Sequence, residues 1–453
     1  MRANRQRHGA GVVICAAALG IALPPAALAQ VGSFGGPGGT SLTPPPVTVP
    51  NRGDPFAKPS RDYSALPIGG WLLYPNIFLG GVYDSNVAQK STTKTASWGG
   101  RIVPSLLAEA TDGIHKTTLY GMADVRGYAA GDTAVRDTTA ARAGFIQRFQ
   151  PMADLTFNAQ GDYTRQRDLF STFGIDHSVT TLNPTAVGLS PVSSPVAYNQ
   201  FSGTASVQKM FDLAFVSFGG SVVDIVYDSG FDLVPGVPAV VGAASPNGAT
   251  YTGTTRGGFW FTPYLYAYAE GTVDQRRYSL DQFNSSGYRT VGGIGTDQIG
   301  LFRGEVYGGY QSERHDFAAL GTVNGTVVGG KLYYYPTREL TISASVDESL
   351  GVSLLEVLPG TLGTSTRATS ALLQATYALA REWAASARFG YIHTDYVATF
   401  RKDDAWTAGG TVTYSVWQNF GLTLDYQHVQ LRSNVPLQGL TRDVVTLGGT
   451  YRY

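Results

Sequence analysis

Two glycine-rich segments of this sequence come close to nucleotide-binding motifs. Residues 325–332 read GTVVGGKL, and residues 291–295 read VGGIG. A phosphate-binding loop needs a Ser or Thr after its lysine to hold magnesium, whereas Leu332 stands at that position. A dinucleotide fingerprint needs a third glycine and a following helix, and neither is present after 295. Both segments therefore favour glycine-rich strands, and the sequence predicts no cofactor.

The histidines are the other residues that could do chemistry. A hydrolase would need a Ser, a His and a carboxylate brought together. His428 and Asp425 are three positions apart, so they point to opposite faces of a strand. His393 and Asp395 share a face with Trp383, which is predicted to be the outer face, in contact with water or lipid headgroups. The remaining histidines after residue 29 show no metal-ligand spacing: His115, His177 and His315. The sequence therefore predicts no catalytic site, no metal site and no enzymatic activity.

Residues 1–29 predict a signal peptide for secretion across the inner membrane. A basic start precedes a short apolar core and a small-x-small end at Ala27–Ala29. The alternative, an anchoring helix, needs about 20 apolar residues. Cys15, the single cysteine, lies in this segment, so the predicted mature chain has no thiol chemistry.

The charge balance argues against nucleic acid as a partner. The whole chain has 33 basic and 33 acidic residues, and the leader carries three arginines and no acidic residue. The predicted mature chain is therefore slightly acidic and offers no basic face for phosphates.

Residues 30–70 are rich in Gly and Pro and have little to bury, so they predict a disordered or extended periplasmic tail. A tether between the leader and the following domain is one role for this tail. Entry into a barrel, or contact with a partner, stays open as another.

From residue 71 to 453 the sequence repeats one unit: a strand, a tight turn, a second strand and a longer loop. The tight turns resemble one another, as in FQPMADLTF, YYPTRELTISA and VWQNFGLTLDY. Short turns that alternate with long loops are typical of an outer-membrane barrel. The arms predict an all-β, transmembrane, antiparallel up-and-down barrel of about 18 strands (16–18). An even number places both termini on the periplasmic side, in the outer membrane of a Gram-negative cell.

Two features separate this barrel from a soluble β-sandwich with the same alternation. The arms are much longer than the roughly 5–6 residues typical of globular strands. Aromatic residues also gather at the arm ends, as in Tyr333–Tyr335, Trp260, Trp383 and Trp417, where membrane girdles lie. Lipid is therefore predicted to cover the apolar face.

The inward face then carries the polar residues. The alternation places these lumen-lining candidates there: Asp124, Arg126, Asp162, Glu270, Asp274, Arg303, Glu305, Asp347, Arg388 and Asp425. Further inward positions complete a balanced set of eight basic and eight acidic residues: Arg101, Glu109, Lys116, Arg142, Arg148 and Lys331. The balance predicts no strong ion preference. Neighbours such as Asp124 and Arg126, or Arg303 and Glu305, are two positions apart on the same side, which suits either of two roles. One role for the set is a cross-strand network that stiffens the wall; the other is a weak binding surface for sugar hydroxyls.

The chain ends in mid-strand, with TRDVVTLGGTYRY. One apolar face carries these residues: Val445, Leu447, Gly449, Tyr451 and Tyr453. An open edge cannot survive in lipid, so this last strand is predicted to pair with the first. A closing strand that ends on an aromatic residue resembles the C-terminal signal read by the barrel-assembly machinery. Clients of that machinery most often end in Phe, so Tyr453 is a departure from the pattern.

The stretch DYSALPIGGWLLYPNIFLGGVYDSNVAQ at 62–89 resembles the start of the beta-barrel porin 2 family. The resemblance is carried by a Gly-rich lead-in, a Tyr-Pro strand and an Asp-Ser-Asn-Val motif, with these residues: Tyr74, Pro75, Tyr83, Asp84, Ser85, Asn86 and Val87. It implies an outer-membrane barrel, often one that belongs to a system secreting exopolysaccharide.

Three functions remain open at this point. The leading hypothesis is a conduit for an exported polysaccharide, working with periplasmic export proteins. The alternative is a general diffusion porin for small solutes, with the loop at 169–197 as a constriction. A second alternative is a structural or adhesin-type barrel that acts through the loops at 169–197 and 230–249.

Overall fold

The computed structural model describes residues 65–87, 93–130, 137–168, 196–228, 247–279, 281, 284–318, 321–358, 361–378, 382–397, 400–434 and 439–452. Several predictions fall outside these ranges. They concern the signal peptide, the tail up to residue 64, most of the loops at 169–197 and 230–249, and Tyr453.

The described residues form nineteen antiparallel strands. Apart from the three-residue β1, each is long enough to cross a bilayer, for which a tilted strand needs about 9–11 residues. The strands are β1 (Leu66–Ile68), β2 (Trp71–Asp84), β3 (Ser97–Thr111), β4 (His115–Tyr128), β5 (Asp137–Met152), β6 (Leu155–Asp168), β7 (Val196–Met210), β8 (Ala214–Tyr227), β9 (Gly248–Trp260), β10 (Leu265–Tyr278), β11 (Ser285–Ile299), β12 (Phe302–His315), β13 (Thr322–Tyr334), β14 (Leu340–Leu358), β15 (Thr361–Tyr377), β16 (Trp383–Tyr396), β17 (Lys402–Ser415), β18 (Phe420–Ser433) and β19 (Leu440–Arg452). Within the described ranges, no helix is long and apolar enough to span a membrane.

Strands β2 to β19 close into a barrel of 18 strands, as the sequence predicts. Each strand pairs with the next one, and β19 pairs with β2 over nine residues, from Val444 opposite Asp84 to Arg452 opposite Asn76. The short β1 folds back on the start of β2. Because the strand number is even, β2 begins and β19 ends at the same rim.

That rim carries the short turns, and side chains close several of them. The Thr262 hydroxyl accepts hydrogen bonds from the backbone N–H groups of Tyr264 and Leu265, at 3.3 and 3.0 Å. Thr337 does the same for the turn before β14. In the turn before β6, a hydrogen bond donated by Lys209 lowers the pKa of the Asp154 carboxyl. These local acceptors explain why Thr and Asp recur in the turn sequences.

The outward face is apolar and exposed. Leu79, Val273, Val306, Val328 and Leu447 each expose about three-fifths of the side chain, although their strand neighbours on the other face are covered. Aromatic pairs lie at both rims, such as Tyr83 with Trp98 (ring centroids 4.8 Å apart) and Trp383 with Tyr414 (4.5 Å). An apolar band between aromatic rims fits the hydrocarbon layer of a bilayer.

The family-like motif closes the barrel seam. Asp84 is fully buried, accepts hydrogen bonds from the Arg442 guanidinium at 2.5 and 3.0 Å, and accepts one from the Asn86 N–H at 2.9 Å. Ser85 exchanges two hydrogen bonds with Asp443, and the Asn86 amide donates to the Thr441 carbonyl. The motif therefore joins the first barrel strand to the last.

The other motif residues and the C-terminal face are placed as follows. Tyr74 and Asp84 lie on the inward face of β2, while Pro75 and Tyr83 lie on the outward face. Pro75 lies just beyond the last β2–β19 pair, where its missing N–H breaks no bond to β19. Val445, Leu447, Gly449 and Tyr451 share the outward face of β19. Their role as an assembly signal stays a prediction.

Replacement of Asp84 by Asn should weaken barrel closure, because it leaves the Arg442 charge without its partner. Loss of one member of a buried pair costs about 3–5 kcal/mol. We expect the lower end of that range, since the Arg442 side chain is 18% exposed. The measurement is the temperature at which the folded, fast-migrating gel band is lost. The matched control is Asp395→Asn, whose partner Lys402 is 61% exposed, and an equal shift in both variants would contradict the assigned role.

Candidate functional site: the lumen wall

All ten predicted lumen residues lie on the inward face of the barrel. The contrast is clear on single strands: Asp124 is 3% exposed and its neighbour Val125 43%, and Asp274 is 5% exposed and its neighbour Val273 62%. The exposed apolar neighbours face lipid, so the charged residues face the lumen.

Each predicted inward carboxylate is paired with a basic side chain. Seven of the eight predicted acidic residues pair with an arginine, and Glu109 pairs with Lys116 at 3.6 Å. The arginine pairs are Asp124 with Arg101 (2.8 Å) and Arg126 (2.7 Å), Asp162 with Arg142 (2.7 Å), Glu270 and Glu305 with Arg256 (3.5 and 2.7 Å), Asp274 with Arg276 (3.4 Å), Asp347 with Arg289 (2.9 Å) and Asp425 with Arg388 (3.0 Å). Positive and negative charges therefore alternate closely along the wall and compensate one another.

Of the two neighbouring pairs named from the sequence, one makes contact and the other does not. Asp124 and Arg126 do meet on β4. Arg303 does not meet Glu305: its guanidinium lies 4.0 Å from Asp297, whereas Glu305 is bound by Arg256 of β9. Arg256 lies three strands away from β12, and a two-residue spacing along one strand does not disclose such a partner.

Three tyrosines lean across a glycine on the next strand to reach a carboxylate two strands away. Tyr120 on β4 is opposite Gly144 on β5, which is opposite Asp162 on β6. The Tyr120 hydroxyl donates a hydrogen bond of 2.6 Å to Asp162. A Cβ on Gly144 would lie 2.5 Å from that hydroxyl, so only glycine leaves room for the ring.

The same arrangement recurs on the other side of the barrel. Tyr266 crosses Gly295 and donates to Glu305 at 3.3 Å. Tyr307 crosses Gly329 and donates to Asp347 at 2.5 Å. An arginine lies over a ring of each of these groups: Arg142 over Tyr120, Arg256 over Tyr268 and Arg289 over Tyr307. Each unit thus consists of a ring, a carboxylate and a guanidinium.

Sequence reasoning missed the tyrosines and several arginines of these units. Arg256 follows two threonines and precedes two glycines, so β9 shows no apolar alternation that would set its face. Arg276, Arg289 and Arg442 also face the lumen. The glycines were the available signal, because inward glycines mark places where another group approaches closely.

The residues considered for catalysis are dispersed. His428 and Asp425 lie on opposite faces; His428 contacts Asp443 (2.8 Å) and Asp425 contacts Arg388. His393 contacts Asp404 at 2.8 Å on the outward face. The Ser365 hydroxyl lies 2.5 Å from His315 Nε2, but no described residue hydrogen-bonds His315 Nδ1, so no acid orients the ring. Among the described residues, no group of three or more His, Cys, Asp or Glu could hold a metal ion. The segment GTVVGGKL lies in β13.

The fold and the hydrophilic inner wall define an outer-membrane β-barrel of the porin type. The chain belongs to the family described as "Putative beta-barrel porin 2", whose model matches residues 59–453. This family is one of porin-like barrels rather than enzymes. No curated protein matches the chain in sequence.

Several solved structures have a similar chain path at very low identity. OccAB4 of Acinetobacter baumannii is 10% identical with a TM-score of 0.42, covering 86% of this chain and 100% of its own. OpdQ of Pseudomonas aeruginosa is 10% identical with a TM-score of 0.41, covering 84% and 97%. The siderophore receptor PirA of A. baumannii is 6% identical with a TM-score of 0.42, covering 84% and 80%. At these values the likeness does not extend to substrate or mechanism.

Replacement of Gly144 by Ala should destabilise the barrel, because the new methyl group would collide with the Gly161 carbonyl and the Tyr120 hydroxyl. Overpacking of this kind costs about 1–3 kcal/mol. Gly121→Ala is the matched control, since a Cβ there has no atom within 4 Å. Urea unfolding followed by tryptophan fluorescence in lipid vesicles measures the difference. Equal stability of the two variants would show that Tyr120 does not require this glycine.

Proposed function

We propose that the protein is an outer-membrane conduit through which an exported polysaccharide passes. Periplasmic export proteins would deliver the chain at the short-turn rim. The supporting observation is the compensation of inward charges: each predicted acidic residue of the lumen lies beside a basic side chain. A wall without a dominant charge suits a solute that is polar but largely uncharged.

The other groups on the wall support the same solute class. Hydroxyl groups of Thr164 and Thr411 bind the carboxylates of Asp162 and Asp425, at 3.0 and 2.6 Å. Such donors and acceptors can exchange partners with sugar hydroxyls at little cost. An 18-stranded barrel is also wide enough for an aqueous channel, unlike one of eight strands, which side chains fill.

A deletion and complementation experiment tests this function. Deletion of the gene should abolish surface polysaccharide, and the unaltered chain should restore it. Asp395→Asn, an outward rim variant, should restore it equally well. Normal polysaccharide secretion in the deletion strain would refute the export role.

A general diffusion porin is the second candidate. The chain's own strands close the wall. The barrel is therefore complete without a partner, which favours a diffusion porin. The purified protein would then show large and steady conductance in planar bilayers, and the deletion strain would keep its polysaccharide. The adhesin hypothesis concerns loops that lie mostly outside the described residues, and no contact described here favours it.

Replacement of Asp425 by Asn should make the lumen selective for anions, because Arg388 then lacks its counter-charge. The reversal potential in a KCl gradient should shift toward that of chloride, and the shift should shrink at high salt as screening increases. Asp443→Asn serves as the control, since Asp443 lies on the outward face of β19. An unchanged potential in Asp425→Asn would show that this pair does not border the conducting path.

A further inference from the structure

One seam of the barrel is much shorter than the others. β13 and β14 pair over five residues only, from Gly330 opposite Val346 to Tyr334 opposite Ile342. On its other edge, β13 pairs with β12 along its whole length. β14 stays paired with β15 up to Leu358. The arm, defined here as residues 347–358 of β14 and 361–368 of β15, therefore leaves the edge of β13 after Val346, while its residues 366–368 stay paired with β16.

The arm lies across the inner face of β12 and β13. The Leu350 N–H donates to the Gln311 side-chain carbonyl at 3.4 Å, and Ser365 Oγ lies 2.5 Å from His315 Nε2. Both partners are inward residues of β12. Arg367 donates to the Asn324 carbonyl of β13 at 3.1 Å, and a Cβ on Gly325 would lie 2.9 Å from its guanidinium. The barrel wall is thus double at this place, with the arm on the lumen side.

A charged group lies under the arm. Glu313 lies between Gln311 and His315 on the inward face of β12, the two positions that the arm contacts. Its carboxylate lies 3.4 Å from Arg276, which lies 3.4 Å from Asp274. Glu313 and Arg276 are 1% exposed and Asp274 5%. The carboxylates of Asp274 and Glu313 both lie next to Gly287, where a Cβ would collide with each of them.

Many polar atoms of this group make no hydrogen bond with the described residues. They are both carboxylate oxygens of Asp274 and of Glu313, Nε and Nη2 of Arg276, Nε2 of Gln311, and Oγ of Ser285. Buried polar atoms in native proteins nearly always have a partner, so these call for a ligand or ordered water. Two carboxylates would repel an anion, and Arg276 would repel a metal ion. Donors mixed with acceptors match hydroxyl groups, because each hydroxyl both donates and accepts.

We propose that the arm is a constriction that closes the lumen over a hydroxyl-binding subsite, formed by Asp274, Arg276, Gln311 and Glu313, and that a sugar chain passes when the arm leaves this subsite. The inference rests on the conduit role and adds to it a binding surface and a gate. Hydrogen bonds to Gln311 and His315 hold the arm to β12, so its displacement exposes groups that water or sugar hydroxyls can satisfy.

Cross-linking of the arm to β12 tests the gate. Cysteines at positions 315 and 365 are joined by a short, reducible bis-thiosulfonate reagent; the chain's own Cys15 lies in the predicted leader. Single-channel conductance in KCl should be mostly lost after cross-linking and return on reduction. The control pair is at positions 254 and 272, whose hydroxyls lie 3.4 Å apart on the neighbouring strands β9 and β10. Equal conductance of the locked and reduced 315–365 pore would overturn the gate.

A labelling measurement keeps the gate testable if the double variant folds poorly. Gln311→Cys should react slowly with a water-soluble thiosulfonate, and Thr254→Cys should react quickly. Addition of His315→Ala should accelerate the first reaction and leave the second unchanged. Equally fast labelling of both cysteines without His315→Ala would show that the arm does not cover β12. If no variant conducts, the conduit itself is refuted, and labelling alone decides whether the arm covers β12.

Current block by maltohexaose tests the subsite. We expect block of the reduced pore, and a rise of roughly tenfold in the blocking concentration for Glu313→Gln and for Asp274→Asn, the effect of one hydrogen bond to a charged group. Asp395→Asn, on the outward face of β16, should leave the block unchanged. Block that is unaffected by either subsite variant would show that these atoms bind water and not sugar.

Discussion

Lipid cannot hydrogen-bond a peptide group, and this constraint governs most of the structure. A sheet in the bilayer must therefore close on itself. Closure requires the first and last strands to meet, although about 360 residues separate Asp84 from Arg442 and Asp443. The chain meets this requirement with side chains as well as with the backbone: Asp84, Ser85 and Asn86 all bind residues at the start of β19. The motif that carries the family resemblance is thus a structural element.

Closure also brings many charged side chains into one enclosed space. An uncompensated charge on the inner wall would attract counter-ions and would favour one sign of solute. The register of the strands avoids this by setting the predicted inward carboxylates beside basic side chains, mostly arginines of other strands. Inward glycines make the arrangement possible, because a tyrosine ring can lie flat over Gly144, Gly295 or Gly329 and reach a carboxylate two strands away. Charge compensation and glycine placement are therefore linked.

The β13–β14 seam departs from the rule of full pairing. Over residues 322–329, β13 has no strand partner on its β14 side among the described residues. On the inner face, Arg367 of the arm binds the Asn324 carbonyl of β13, and the Leu350 N–H binds Gln311 of the neighbouring β12. A wall built in this way is double at one place and has its weakest strand pairing there. At this place, the sheet closure that lipid requires and the inner surface that a solute would meet depend on the same strands.

The amino-acid sequence determined the barrel itself: the alternation, the arm lengths, the turn residues and the apolar last strand are local features, and they specify strand direction, approximate strand number and the inward position of residues such as Asp124 and Asp425. It did not determine which charges pair. Arg256 and Glu305 are 49 positions apart, and only the register of β9 to β12 brings them together. Nor did it disclose the inward course of the arm. Residues 340–358 alternate like those of an ordinary wall strand, and the pattern does not show where β13 stops pairing with β14. Pairing and burial depend on which strands become neighbours in space, and that is decided when the barrel closes.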